Sequence, residues 1–218
     1  NVRPLQNVTA EKATSGSFDV NWRSIFGEVG ANFNTAFFVS GLSDALLADP
    51  DSLDNNIVYL RNATGATLTR GGEFSAKFSY RDFKLSLGYT YIFASQTDSG
   101  TTYELELNPR HSFGVVIVWE NEEAATKVGI ENYWTGVQRL ERNPYRDRSP
   151  EYWITGIIGE KAFGDLRLFL NLENIFDTRQ TRYEPIIIRN LQTGAIRTLP
   201  IYAPLEGRVV NGGIRFVL

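Results

Sequence analysis

The stretch "FKLSLGYTYIF", Phe83 to Phe93, decides the fold. Phe83, Leu85, Leu87, Tyr89, Tyr91 and Phe93 alternate with Lys84, Ser86, Gly88 and Thr90. Side chains point to opposite faces along a strand, so a period of two makes one apolar face and one polar face. The alternation runs well past the ~5 to 6 residues usual for a strand. Its polar side also carries a charge, at Lys84, in mid-run.

The same pattern recurs outward in both directions. Phe18, Val20 and Trp22 oppose Ser17, Asp19 and Asn21, and Phe74, Ala76, Phe78 and Tyr80 oppose Glu73, Ser75, Lys77 and Ser79. Phe113, Val115, Ile117 and Trp119 oppose Ser112, Gly114 and Glu120, and Leu166, Leu168, Leu170 and Leu172 oppose Arg167, Asn171 and Glu173. The pattern predicts strands at 15–25, 29–40, 57–80, 84–97, 106–119, 125–138, 151–161, 165–176 and 207–218, the third bending near Gly65. One stretch, Gly41 to Pro50, reads as a turn or two of helix capped by Ser43. The connections at 26–28, 81–82, 121–124 and 162–164 are short. Those near 41–56, 98–105, 139–150 and 177–206 are long and polar.

Composition narrows the class. The chain has 218 residues, a formal net charge of -3 and no Cys. That charge implies neither nucleic acid nor an acidic substrate. Disulfides and Cys-based metal sites are excluded. No run approaches the ~20 apolar residues of a membrane helix, no signal peptide is visible, and residue 1 is Asn.

Long alternating strands with short turns at one rim and long loops at the other predict an all-β, antiparallel transmembrane β-barrel. Lys77, Lys84, Lys127, Glu131, Arg167, Glu173 and Arg215 then face a watery lumen, and the apolar set faces lipid. Phe26, Phe83, Trp119 and Phe163 by the short turns, and Tyr91, Phe93, Trp134 and Tyr152 nearer the loops, read as interfacial belts. The competing reading is a soluble sandwich whose aromatics form a core.

The chain closes on "VVNGGIRFVL", an alternating strand. Asn211, Gly213, Phe216 and Leu218 are spaced like the C-terminal signal that the barrel-assembly machinery recognises in bacterial outer-membrane proteins, with Leu218 where an aromatic is usual. "FLNLENIFDTRQTRYEP", Phe169 to Pro185, resembles the penultimate-strand motif of TonB-dependent outer-membrane receptors, whose core here is Asn174-Ile175-Phe176-Asp177 followed by Tyr183. "YLRNATGATLTRGGEFSAKFSY", Tyr59 to Tyr80, and "LGYTYI", Leu87 to Ile92, resemble preceding strands of that family, in the family's order.

The resemblance implies a barrel of 22 strands around an N-terminal plug. Residues 1–218 are then the C-terminal part of the barrel domain, with plug, earlier strands and TonB-engaging segment outside this sequence. Parity agrees, because nine strands are odd and single-chain bacterial barrels are even, unless residues 1–14 supply a tenth strand. The implied function is import of a scarce nutrient across the outer membrane, powered through TonB, with a ferric siderophore or similar chelate as cargo. Implied partners are outer-membrane lipid and lipopolysaccharide, the barrel-assembly machinery, TonB through the N-terminal part, and a surface lipoprotein. No cofactor, resident metal or catalytic group is implied.

Two loops hold candidate cargo contacts. "RLERNPYRDR" sets Arg139, Arg142, Arg146 and Arg148 around Tyr145. Guanidinium forks suit carboxylates and phosphates, hence an anionic chelate. The plainer reading is surface charge touching lipopolysaccharide or pairing with Glu141 and Asp147. In the last loop Arg182, Tyr183, Arg189, Arg197 and Tyr202 are candidates. That loop reads as a hairpin flanking "LQTG", and packing against neighbouring loops is its plainer role. His111 is the single histidine and reads as structural. The alternatives are a complete small barrel, acting either as an omptin-like protease with acids beside His111 or as a passive pore.

Overall fold

The computed structural model describes residues 2–4, 8–48, 58–189, 194 and 196–216. Nine long strands form one antiparallel sheet. In chain order its members are β2 (Lys12–Phe26), β3 (Val29–Ser43), β6 (Thr67–Tyr80), β7 (Phe83–Asp98), β9 (His111–Asn121), β10 (Thr126–Thr135), β11 (Tyr152–Phe163), β12 (Leu166–Glu173) and β15 (Val209–Phe216). Each pairs with its neighbours in sequence along the path, leaving β2 and β15 at the two edges of an open sheet. Shorter pieces lie in the loops. β1 (Val2–Pro4) and β4 (Leu46–Ala48) flank β5 (Val58–Asn62), while β13 (Ile187–Arg189) and β14 (Ile196–Thr198) form a hairpin. β8 (Thr101–Glu104) folds back on the outer end of β7.

Residues directly opposite in an antiparallel pair share a face. The register therefore sorts every side chain. Trp22↔Phe33, Phe33↔Ala76, Ala76↔Leu87, Leu87↔Val115 and Phe18↔Phe37 all belong to one apolar face. Ile117↔Ile130, Ile130↔Ile157, Ile157↔Leu172 and Leu172↔Val210 continue it to the far edge. Large side chains on it stand exposed, Phe18, Phe37 and Val210 among them, because lipid rather than protein is their medium. Lys77, Lys84, Lys127, Glu131, Arg167, Glu173 and Arg215 all fall on the opposite face, as the alternation predicts. Ion pairs Lys84–Glu120 at 2.8 Å and Arg167–Glu160 at 3.2 Å line that face. At the short-turn rim Phe26, Tyr80, Phe83, Trp119, Phe163 and Phe216 make an aromatic girdle on the lipid face.

Several expectations need correction. Gly41 to Pro50 is not helical: β3 runs on to Ser43 by pairing with β2, Asp44 turns with φ 58, and β4 follows, with residues 49–50 outside the described set. Pairing with an adjacent strand outweighs a weak helical pattern. The strand foreseen at 57–80 is two, β5 and β6, parted at 63–66 where Gly65 abuts Thr97. The strand foreseen at 106–119 begins only at His111, because Leu107 turns in the left-handed region (φ 55). Tyr152 lies opposite Thr135, off the lipid face, so it is not a belt residue; Trp134 and Trp153 are, with ring centroids 6.3 Å apart.

A sheet wetted by lipid on one side has little core of its own. The buried cluster instead sits above the long-loop rim, around Leu140, Tyr202 and Ala203, with Tyr152 packed against it.

Candidate functional site

The long loops interlock into one wall, built by four polar clamps. The first is Glu104, at the end of β8. Arg110 donates from Nε to Oε1 at 2.7 Å and from Nη2 to Oε2 at 2.8 Å, and Arg148 reaches Oε2 at 3.5 Å. Arg139 donates to the Glu104 carbonyl and pairs with Glu141 at 3.1 Å. Foremost the Arg110 bond holds the Glu104 carboxyl below the usual carboxylate range, against a burial penalty.

The second clamp is Glu184, whose side chain is only 1% exposed. Arg146 sits 2.8 Å from its Oε2 and Asn143 donates to its Oε1. A carboxylate this deep is tolerable only when paired and hydrogen-bonded.

The third is Gln180, fully buried in a 3-10 turn, Gln180–Arg182. Its Oε1 accepts from Tyr202 N at 2.9 Å and Ala203 N at 3.4 Å, and its Nε2 donates to the Pro200 carbonyl at 2.8 Å. Tyr202's own carbonyl accepts from Gln138 Nε2 and Tyr152 Oη, both at 3.0 Å.

The fourth explains the Asn-Ile-Phe-Asp core. Asn174 takes φ 48, a left-handed conformation that Asn tolerates, and this ends β12. Its Nδ2 donates to the carbonyls of Thr178, Glu206 and Gly207, at 2.9 to 3.3 Å, and its Oδ1 accepts from Thr178 N at 2.8 Å. Asp177 pairs with Arg179 at 3.0 Å and with Arg182. One motif thus ties both ends of the last loop together.

Among the foreseen residues, Arg139, Arg146, Arg148 and Arg182 lie in these ion pairs. Tyr202 is core, not rim. It is 4% exposed, its hydroxyl has no hydrogen-bond partner among the described residues, and burial, aided by Glu184, pushes its pKa up to about 12. Tyr145 and Tyr183 are exposed. Arg142 and Arg197 are exposed neighbours, Arg197 Nη2 donating to the Arg142 carbonyl at 3.1 Å. Arg189 is exposed on β13, its Nε 3.4 Å from the Gly194 carbonyl. The hairpin foreseen around "LQTG" is present as β13 and β14; Leu191 to Thr193 lie outside the described residues.

Glu104, Glu184 and Gln180 escaped sequence reading. A lone polar residue in a polar loop carries no local sign of burial; only the excess of arginine around it hinted at buried acids.

At the closing strand, Asn211 and Gly213 face the lumen and Phe216 faces lipid, with Leu218 outside the described residues. Packing explains Gly213, since a Cβ there would lie 2.8 Å from the Phe169 ring. Asn211 donates to Glu173 at 3.3 Å.

His111 stands opposite Tyr91 on the lipid face, with its Nδ1 2.7 Å from the Tyr89 hydroxyl.

No curated relative matches the sequence. Solved structures match its fold. The ferric enterobactin receptor of Pseudomonas aeruginosa superposes with a TM-score of 0.70 at 15% identity, covering 99% of this chain and 32% of that one. The FrpB iron transporter of Neisseria meningitidis gives 0.67 at 15% identity over 99% and 33%. The ferric-catecholate import receptor Fiu of E. coli gives 0.65 at 14% identity over 98% and 29%. The chain therefore spans about a third of the length of these structures. The family model described as TonB dependent receptor-like, beta-barrel, matches residues 2–175. With the alternating faces and the loop asymmetry, that match establishes that the chain belongs to the TonB-dependent receptor family of outer-membrane β-barrels.

Proposed function

We propose that this chain is the C-terminal part of the barrel of a receptor that imports a ferric siderophore or similar anionic chelate across the outer membrane, driven through TonB. One observation carries the cargo reading. The clamped loops form a wall at the outer rim, and on it Arg142 and Arg197 are both exposed, with Arg197 bonded to the Arg142 carbonyl. Two exposed guanidiniums carried by adjoining loops, neither of them in an ion pair among the described residues, attract a multivalent anion. Tyr145, Tyr183 and Arg189 extend this surface; Arg139, Arg146, Arg148, Arg182 and Tyr202 hold it in place. The family and the iron transporters among the structural neighbours support the same direction.

In this reading plug and TonB-engaging segment belong to the N-terminal part, the barrel-assembly machinery reads the closing strand, and a surface lipoprotein is a further partner. The protease alternative needs acids around His111. An outward-facing His111 bonded to a tyrosine argues for transport instead.

Uptake of radiolabelled iron chelates by cells expressing the full-length receptor, with and without TonB, tests this. Arg142→Glu with Arg197→Glu should lower binding of anionic chelates by roughly tenfold or more, the cost of two reversed charge contacts. TonB-independent uptake, or unchanged affinity for every anionic chelate that the receptor carries, overturns the reading.

A further inference from the structure

The lipid face is not uniform. On β6 Gly72 interrupts a row of large side chains and leaves a groove of about 470 Å³. Phe37 on β3 and Tyr91 on β7 flank it, Phe74 and Tyr89 lie at its inner end, and Arg70 stands at its outer end. Register places all six residues on the face turned away from the lumen: Phe37↔Gly72, Gly72↔Tyr91, Phe74↔Tyr89 and Arg70↔Phe93.

Height locates the groove in the bilayer. A strand tilted as in outer-membrane barrels climbs about 2.6 Å per residue. Counted from Tyr80 and Phe83 at the short-turn girdle, Phe74 stands about 16 Å up, Tyr91 about 21 Å and Arg70 about 26 Å. The apolar band of such barrels is about 25 Å tall. The groove thus lies in the outer leaflet, runs along the strands, and has its cation at the hydrocarbon boundary.

That cation is unusual in its setting. The other charged side chains of β6, Glu73 and Lys77, point into the lumen. Arg70 is exposed, and no described carboxylate pairs with it. Its guanidinium lies 5.3 Å from the centroid of the Phe93 ring, and Arg110 lies 5.0 Å from the same centroid. Ring contact fixes the fork but leaves its donors to an anion. An apolar channel with a guanidinium at headgroup depth is complementary to an acyl chain attached to a phosphorylated headgroup.

We infer that the Gly72 groove is a specific site for a phosphorylated glycolipid of the outer leaflet, with one acyl chain between Phe37 and Tyr91 and a headgroup phosphate on Arg70. Gly72 is required because a Cβ there would meet the Phe37 ring at 3.1 Å and begin to fill the channel. The groove lies on the lipid face and is independent of the cargo.

The experiment is native mass spectrometry of the full-length receptor released from outer membranes in mild detergent, followed by exchange with purified lipid A in its phosphorylated and dephosphorylated forms. The wild type should retain phosphorylated lipid A and prefer it to the dephosphorylated form. Arg70→Gln should abolish that preference and lower retention roughly tenfold, the loss of one charge-assisted bond. Gly72→Leu should lower retention of both forms. Leu170→Ala, on the lipid face of β12, should change neither. Heat-modifiable migration on gels reports that each barrel is folded, and Arg70 is exposed enough that its variant folds. Equal retention by wild type and Arg70→Gln, equal loss in the Leu170 variant, or preference for phosphatidylglycerol over lipid A would each overturn the site.

Discussion

Glu104 and Arg110 meet through two parallel hydrogen bonds, 2.7 and 2.8 Å long, at the base of the loop that carries β8. Arg148 shares the same carboxylate from a later loop, beyond β9 and β10. Glu104→Gln keeps the size and removes the charge, leaving two guanidiniums without their partner. The loops at 99–110 and 136–151 should then exchange backbone hydrogens roughly tenfold faster, with the strands unchanged. Hydrogen exchange read by mass spectrometry checks this.

The same clamp sets a pH dependence. Arg110 lowers the folded-state pKa of Glu104. At Asp177 burial pushes upward, and Arg179 and Arg182 together outweigh it, so that its folded-state pKa is lowered too. A depressed carboxylate contributes stability that is fully present above its unfolded value, about 4, and is lost as pH falls through the folded value. Loop protection should therefore be flat between about pH 5 and 8 and fall below about pH 4. In the Glu104→Gln variant the part belonging to 99–110 should lose that fall. Protease nicking in short pulses across the pH series distinguishes the two.

Gln180 satisfies two backbone donors and one carbonyl from the far side of its own loop. Gln180→Leu fills much of the volume and satisfies none of them. Each orphaned group costs about 1–3 kcal/mol, enough to free the segment 174–208. Limited proteolysis should cut there in the variant and not in the wild type, while the barrel stays resistant to dissociation.

Asn174 combines a left-handed backbone with four side-chain hydrogen bonds. Asn174→Gly loses the bonds and keeps the conformation; Asn174→Ala loses both. The alanine variant should be worse than the glycine by about 1 kcal/mol, the left-handed penalty for a residue with a Cβ. Thermal unfolding of the purified receptor ranks the three.

Gly213 lies under the Phe169 ring, opposite it in the register. Gly213→Ala should slow folding of the barrel into the outer membrane, and Phe169→Ala should restore it in the double variant. Restoration would mean that the glycine answers to cross-strand packing. A Gly213→Ala defect that persists in the double variant would mean that it answers to recognition of the closing strand.

What the amino-acid sequence determines by itself is the wall of the barrel. Alternation is a property of each strand alone, so Phe83 to Phe93 announces its two faces without knowledge of any neighbour. Loop asymmetry and the girdle of Phe26, Phe83, Trp119 and Phe163 follow equally from local chemistry. Alternation also restricts the register of the nine strands to those pairings that keep the apolar sets together. The loops are different. Arg139, Arg142, Arg146 and Arg148 look alike in the sequence. Yet Arg146 reaches a buried Glu184 and Arg148 reaches Glu104, whereas Arg142 stays exposed. Burial of Tyr202 and the role of Gln180 likewise depend on segments far away in the chain. A polar side chain's fate is set by which partner arrives to satisfy it in three dimensions, and only the tertiary structure decides that.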